Sequence, residues 1–238
     1  MNMKKEDLMY NYIHDSDVYL YQRKDMFRMN TDTALLAHFM RVESDDVILD
    51  IGTNNAALLC YAALSKPKMM YGVDVLKEAC ELADFNLKDR GIPYQIICDD
   101  ICNVILHDID VIVCNPPYFT KGGAIPNNKK EKFIARHETT AVFEDFVKTA
   151  ASILKGKGDF FIVHRPSRLV DIFYYCRKHK LEPKTMRMVA PKAGEAPNIV
   201  LIHCSAGGGK ELKNLSTLYV YNSDGTYTED IERIYERK

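Results

Sequence analysis

The sequence predicts an α/β fold: a mostly parallel sheet with an antiparallel edge and a terminal hairpin. Three observations carry this. Apolar, β-branched runs at 47–52, 69–74, 94–98, 110–115 and 159–164 alternate with segments of helical period, making five βα units. Two more such runs, 186–190 and 199–204, follow each other with no helix pattern between them, as an antiparallel edge requires. Several of the runs end in glycine, aspartate or Asn-Pro, residues that stop a strand and open a turn.

The elements follow in order. Residues 1–21 are polar with scattered tyrosines, and Tyr19-Leu20-Tyr21 reads as a short strand. Asn30 or Thr31 is a candidate N-cap for the apolar helix 34–40, and Phe27, Thr31 and Asp32 stand at its entrance, where a small ligand could meet both ring and cap. The run 47–52 ends in Asp50-Ile51-Gly52, then Thr53-Asn54-Asn55 and an apolar helix, the first half of a nucleotide-type site in which Gly52 lets the backbone approach a ligand. Asp74 closes the second strand 22 residues after Gly52, a spacing that suits acceptance of ribose hydroxyls, with Val75 beside it. The helix pattern 76–90 carries Ala79, Leu82, Ala83 and Leu87 on one face. The third strand ends in Asp99-Asp100-Ile101, where a carboxylate would either contact an adenine amino group or cap a helix.

The fourth strand runs into Asn115-Pro116-Pro117-Tyr118-Phe119. Two prolines end it, so the Asn115 amide and the Pro116 carbonyl stand at the sheet's carboxyl edge, where ligands bind in open α/β sheets. Two converging acceptors suit a planar NH2 group, and Tyr118 offers a face on which a base could stack. The loop 120–131 is polar and aperiodic, and helix 143–154 is followed by Lys155-Gly156-Lys157-Gly158 as a connection to the fifth strand. A further helix is expected from Pro166 to about Lys180, and 218–221 with Tyr227 should form the hairpin around Asn222-Ser223-Asp224-Gly225.

Composition narrows the classes. The 238 residues suit one domain: an N-terminal strand and helix extension over 1–45, a core over 46–205 and a tail or hairpin over 206–238. No run approaches eighteen apolar residues and the start lacks a signal-peptide core, so a cytoplasmic protein without membrane contact is expected. Seven cysteines include no C-x-x-C pair and read as buried thiols, with no metal implied. The net charge of −1 is uneven: residues 1–118 carry 11 basic and 19 acidic side chains, 119–215 carry 18 and 9. A positive half beginning just after the tetrapeptide suits a phosphate backbone, and equally a solvated lysine-rich surface.

The tetrapeptide resembles the catalytic motif of amino-methyltransferases that use S-adenosylmethionine, a group that methylates adenine, cytosine or a glutamine amide. With Met29-Asn30-Thr31-Asp32, Asp50-Ile51-Gly52-Thr53-Asn54-Asn55, Ala135-Arg136-His137-Glu138 and Val163-His164-Arg165-Pro166, the chain resembles the tRNA1(Val) adenine-37 N6-methyltransferase family within the class I, Rossmann-like methyltransferases. The resemblance implies a seven-stranded sheet, S-adenosylmethionine over the first two strand ends (Phe27, Thr31, Asp32, Asp50, Gly52, Asn54, Asp74, Val75, Asp99, Asp100, Ile101 and Asn115), and catalysis by Asn115, Pro116, Pro117 and Tyr118 on a flipped adenine. On the RNA side it leaves Phe119, Lys121, Arg136, His137 and Arg165, with tRNA or another structured RNA as partner and a monomer as the working unit. A glutamine amide on a protein, or a non-catalytic RNA-binding module, are the alternatives. Asn54 and Ala56 stand where such turns often carry glycine.

Overall fold

The computed structural model describes residues 8–12, 18–24, 26, 28–116 and 143–235. Two strands, β1 (Leu8–Tyr12) and β2 (Tyr19–Arg23), pair antiparallel in register Tyr10↔Tyr21. Only the second of these was legible as a strand. The chain then enters α1 (Thr31–Phe39), whose N-cap is Asn30: its Oδ1 accepts from the Thr33 N–H at 3.1 Å. Residues 32 to 37 of this helix are all buried, so α1 is a core helix without a solvent stripe.

The main sheet contains β3 (Val47–Ile51), β4 (Met69–Asp74), β5 (Tyr94–Cys98), β6 (Ile109–Cys114), β7 (Leu154–His164), β8 (Leu181–Ala190), β9 (Ile199–Ala206) and β10 (Lys213–Tyr219). Helices α2 (Ala57–Ala62), α3 (Lys77–Leu87), α4 (Phe143–Ile153), α5 (Leu169–Lys178) and α6 (Glu229–Tyr235) complete the described elements. Strand order is β10-β8-β9-β7-β6-β3-β4-β5, and only the pairs that β9 makes with β7 and β8 are antiparallel. The reversal expected toward this edge is present. The sheet has eight strands where seven were expected, because β10 lies parallel to β8 and extends the sheet beyond it.

Side chains alternate between two apolar layers. In β6, Val111 and Val113 face the layer holding α1 and α2, while Ile112 and Cys114 face the layer holding α4 and α5. The run Phe160-Phe161-Ile162-Val163 of β7 is 0–1% exposed, so both faces of this central strand are covered. At about 1.5–3 kcal/mol per buried large side chain, those four positions anchor the middle of the sheet.

Two expectations of detail are corrected. Lys155-Gly156-Lys157-Gly158 is not a connection but the start of β7, which pairs Ile109↔Leu154 and then Val111↔Asp159 around a bulge. Lys157 there has φ +68°, and a Cβ on Gly158 would stand 3.1 Å from the Asp110 carbonyl and 3.0 Å from that of Lys155. The terminal hairpin is reduced to one bridge, Tyr221↔Tyr227, because residues 213–219 pair with β8 instead. The helix α6 follows it, seating Ile231 and Ile234 in the core. Five of the seven cysteines are buried and all are free thiols. No helix among the described residues is long and apolar enough to cross a membrane.

Candidate active site

Register brings the site together. Ile51 pairs with Val73 on one side and Cys114 on the other, and Asp74 pairs with Cys98. Gly52, Asp74 and Asn115 therefore lie one step beyond, or on, the same transverse row, with Asp99 following Cys98. Neighbouring strands are ~4.8 Å apart, so Asn115 and Asp74 flank Gly52 within ~10 Å of each other at the carboxyl edge.

The turn after β3 is wound tightly. Gly52, Asn54 and Ala56 have φ +74°, +48° and +58°, so three of five residues are left-handed and only the first is glycine. Nothing lies within 4 Å of where a Cβ on Gly52 would stand, so glycine is required there for its backbone and leaves open space in front of it. Asparagine tolerates the left-handed region, whereas Ala56 adopts it at about 1–2 kcal/mol. The turn thus keeps a glycine-type shape without the glycines.

Partners hold that shape. Gly52 and Thr53 both donate their N–H to the Val73 carbonyl at 2.9 Å. The Asp74 carboxylate accepts from the Asn54 N–H at 2.9 Å through one oxygen and from the Leu76 N–H at 3.0 Å through the other, with the Val75 N–H also against it, leaving part of its acceptor capacity. Asn55 is buried and donates its amide to Gln22 Oε1 at 3.3 Å; its carbonyl accepts from Asn86 Nδ2 at 2.9 Å. Asn86 also exchanges bonds with the Tyr21 backbone, taking its N–H at 2.8 Å and donating to its carbonyl at 3.0 Å. Three buried amides on β2, the turn and α3 are thereby linked.

Two carboxylates sit behind the turn. Asp50 is 2% exposed; its Oδ2 accepts from Thr53 Oγ1 at 2.9 Å and its Oδ1 has no hydrogen-bond partner. Burial pushes its pKa up to about 7, with the Thr53 bond opposing and the Asp74 charge adding to the rise. Burial likewise raises Asp74, against the amide bonds of Leu76 and Asn54. Asp99 accepts from the Asp100 N–H and from Asn103 Nδ2, which lower its pKa. Asp100 takes the capping role, accepting from the Cys102 N–H at 2.9 Å ahead of a single 3₁₀ turn at Ile101–Asn103. Ile101 is buried beneath them and Val75 is exposed beside Asp74.

On the other side of Gly52, Asn115 is half-buried and Pro116 buried. Asn115 Nδ2 donates to Thr33 Oγ1 at 3.3 Å, and Thr33 Oγ1 donates to Asn30 Oδ1 at 3.2 Å. Thr31 and Asp32 occupy the same first turn of α1, half-buried and buried. Thr33, Gln22 and Asn86 were missed in the sequence, and Asn55, quoted there with the turn, was given no role. Of the three missed, only Thr33 carried a signal, standing three residues after a candidate cap. Beyond Pro116, β7 ends in His164, whose Nδ1 accepts from the Arg165 N–H at 2.8 Å; burial, then the charges of Arg168 and Arg165, push its pKa down to about 4. Arg165 is exposed and donates to the Asn198 carbonyl at 3.2 Å. Phe27, Pro117, Tyr118, Phe119, Lys121, Arg136 and His137 lie outside the described residues, as does the loop 120–131.

The sequence profile of the methyltransferase small domain matches residues 13–172, two thirds of the chain and all of the strands that make this edge up to β7. The chain belongs to the methyltransferase small domain family. Among curated relatives of this methyltransferase, the tRNA1(Val) (adenine(37)-N6)-methyltransferase of Parabacteroides distasonis is 27% identical over 191 residues, covering 77% of this chain and 78% of the relative. The protein of the same name from Phocaeicola vulgatus is 28% identical over 188 residues, covering 77% and 79%. Among solved structures, a predicted O-methyltransferase from Agrobacterium tumefaciens superposes with a TM-score of 0.69 at 18% identity, over 86% of this chain and 95% of that one. A structure described as a class I S-adenosylmethionine-dependent methyltransferase, from Listeria monocytogenes, superposes at 0.61 and 13%, over 90% and 72%. These two speak to the shared fold.

Proposed function

We propose that this methyltransferase moves the methyl group of S-adenosylmethionine to the exocyclic N6 of an adenine in tRNA, adenine 37 of a valine tRNA by the names of its curated relatives. The observation that carries the reading is the commitment of Asn115 Nδ2 to Thr33, which leaves Asn115 Oδ1 as an acceptor beside the Pro116 carbonyl. Adenine N6 is a poor nucleophile because its lone pair is delocalised into the ring; two acceptors hydrogen-bonded to its N–H groups return density to nitrogen as it attacks, and the proton it sheds after gaining the methyl group passes to solvent.

The residues present fit the cofactor. Asp50 Oδ1, buried and without a partner, suits a cationic group; the spare acceptor capacity of Asp74 suits a ribose diol; the open space before Gly52 admits a ligand against the backbone. When bound, S-adenosylmethionine supplies an activated methyl group on a sulfonium. Asp74 and the turn orient the ligand's sugar, and Asp50 balances positive charge. Asn115 and Pro116 aim the amine, and proximity with fixed dipoles supplies the acceleration. Asp99, Asp100 and Ile101 would border the adenine ring of the cofactor, with Thr31 and Asp32 closing the pocket from α1. Pro117 would hold the turn of the tetrapeptide, Tyr118 would stack the target base, and Arg165, Arg136 and His137 would meet phosphates. A single domain working as a monomer in the cytoplasm completes the reading.

The test is incubation with methyl-labelled cofactor and unmodified total tRNA, followed by digestion to nucleosides. Label in N6-methyladenosine is expected; label absent from RNA but present on a protein glutamine would replace this reading with the amide one.

A further inference from the structure

We infer that Thr33 is a positioning residue for the transfer, through a relay from the cap of α1 that sets which end of the Asn115 amide faces the reacting amine. The inference rests on the reading of Asn115 above.

A primary amide can present either oxygen or nitrogen to a neighbour, and only its surroundings decide which. At Asn115 the decision propagates from a group that has no choice. The Thr33 backbone N–H can only donate, and it points at the Asn30 side chain at 3.1 Å, so Asn30 must present its oxygen there. The Thr33 hydroxyl meets that same oxygen at 3.2 Å, so the single hydroxyl proton of Thr33 is used on Asn30. What Thr33 Oγ1 has left is a lone pair. The Asn115 atom that meets it at 3.3 Å must therefore be a donor, Nδ2, and Oδ1 is turned to the opposite side.

An amide turned the other way would show NH2 to a substrate NH2, two donors face to face, and the grip on the amine would be lost. Thr33 is 5% exposed and Asn115 half-buried, so water competes poorly for these bonds and the preference survives in the folded protein. The relay also gives a reason for asparagine at 115: a carboxylate there would set an acceptor against the lone pair of Thr33. Residues 82 apart in sequence are coupled in this way, and the cap of a core helix becomes part of substrate geometry.

The experiment compares wild type with Thr33→Val, which keeps the shape and removes the hydroxyl, and with Thr33→Ser, which restores the hydroxyl without the methyl. With tRNA as substrate, Thr33→Val is expected to lower kcat about 10- to 100-fold, with the affinity for S-adenosylhomocysteine by calorimetry and the KM for tRNA within about twofold of wild type; Thr33→Ser is expected to recover most of kcat. A Thr33→Val enzyme that folds and keeps kcat within about twofold overturns the relay, as does a serine variant no better than the valine one. In parallel, the Asn115 side-chain amide protons, assigned in ¹⁵N-asparagine-labelled protein by their loss in Asn115→Ala, should shift in Thr33→Val and return in Thr33→Ser. That shift with no tRNA methylation by wild type would sink the functional reading and leave the relay standing; its absence overturns the relay whatever the substrate.

Discussion

The two sides of the carboxyl edge differ in what they bury. On the β3–β4 side the strand ends carry Asp50, buried, and Asp74, half-buried, both raised in pKa by loss of solvation. On the β7 side the strand ends in His164, buried and lowered to about 4, with Arg165 and Arg168 beside it. One side holds acidic groups, the other keeps a histidine neutral, with Arg165 exposed and Arg168 paired with Asp171 at 2.9 Å. Asn115, uncharged, stands just past the end of β6 between them. On the function proposed above, the difference is a division of labour by charge: a cationic methyl donor would belong on the acidic side and a polyanion on the basic side, with a neutral amide where a neutral amine would react.

The largest break in this arrangement is at its centre. Asn115→Ala is expected to lower single-turnover methylation of tRNA by at least about 10²–10³-fold, the scale of losing one fixed polar group at a reacting centre, with cofactor binding changed by less than about 1 kcal/mol. A fall in cofactor affinity matching the fall in rate would move Asn115 to the cofactor's side. Next comes Asp74→Asn, which should weaken S-adenosylhomocysteine binding by about 10- to 100-fold in calorimetry through loss of charge-assisted acceptance, with the apparent Tm changed little.

The pH behaviour sharpens the contrast. Asp50 has a folded pKa raised to about 7 from 3.8, so its contribution is full below the unfolded value and is lost as pH rises between about 4 and 7. His164 has a folded pKa lowered to about 4 from 6.5, so its contribution is present above about 6.5 and is lost as pH falls toward 4. The two slopes oppose each other across the same window. Asp50→Asn should therefore remove most of the loss of stability toward pH 7, the smaller share from Asp74 remaining, and shift the stability profile toward a rise from pH 4 to 6.5, a change of a few kcal/mol at most. Unchanged profiles in denaturant titrations at pH 4.5, 5.5, 6.5 and 7.5 would show that Asp50 is solvated in solution. The smallest effect belongs to the rim: Arg165→Ala should weaken tRNA binding several-fold and reduce the slope of log affinity against log salt by about one, equally for cognate and unrelated RNA. A loss confined to the cognate tRNA would make Arg165 a reader of sequence.

The sequence made the inner strands readable because burial on both faces leaves continuous β-branched runs, as at β6 and in Phe160-Phe161-Ile162-Val163 of β7, and because Gly52, Asp74 and Asn115 each close such a run. It concealed elements whose patterning is set by the sheet's rim. The start of β7 is exposed, so Lys155-Gly156-Lys157 looks like a loop, and Pro183 inside β8 sits at a register irregularity, where a missing N–H is tolerated. The parallel placement of β10 on β8 is a matter of topology that no local period encodes. At the site, the motif residues were legible singly, while the amides that hold them were not: Asn86 is 65 residues from Tyr21 and 31 from Asn55.

Those linked amides bear on how the chain can be trimmed. The first two strands lie outside the eight-stranded sheet and look removable, yet Gln22 on β2 supports both Asn55 and the Met29 N–H ahead of α1. Cutting the chain between Arg23 and Met29 would leave the Asn55 and Asn86 side chains short of partners in a dry interior and unfasten the loop that lies over the third strand's tip. The amino-terminal ribbon is in this sense a buckle for the ligand loop, and a shortened protein should show faster amide exchange at 54–57 long before its sheet begins to melt.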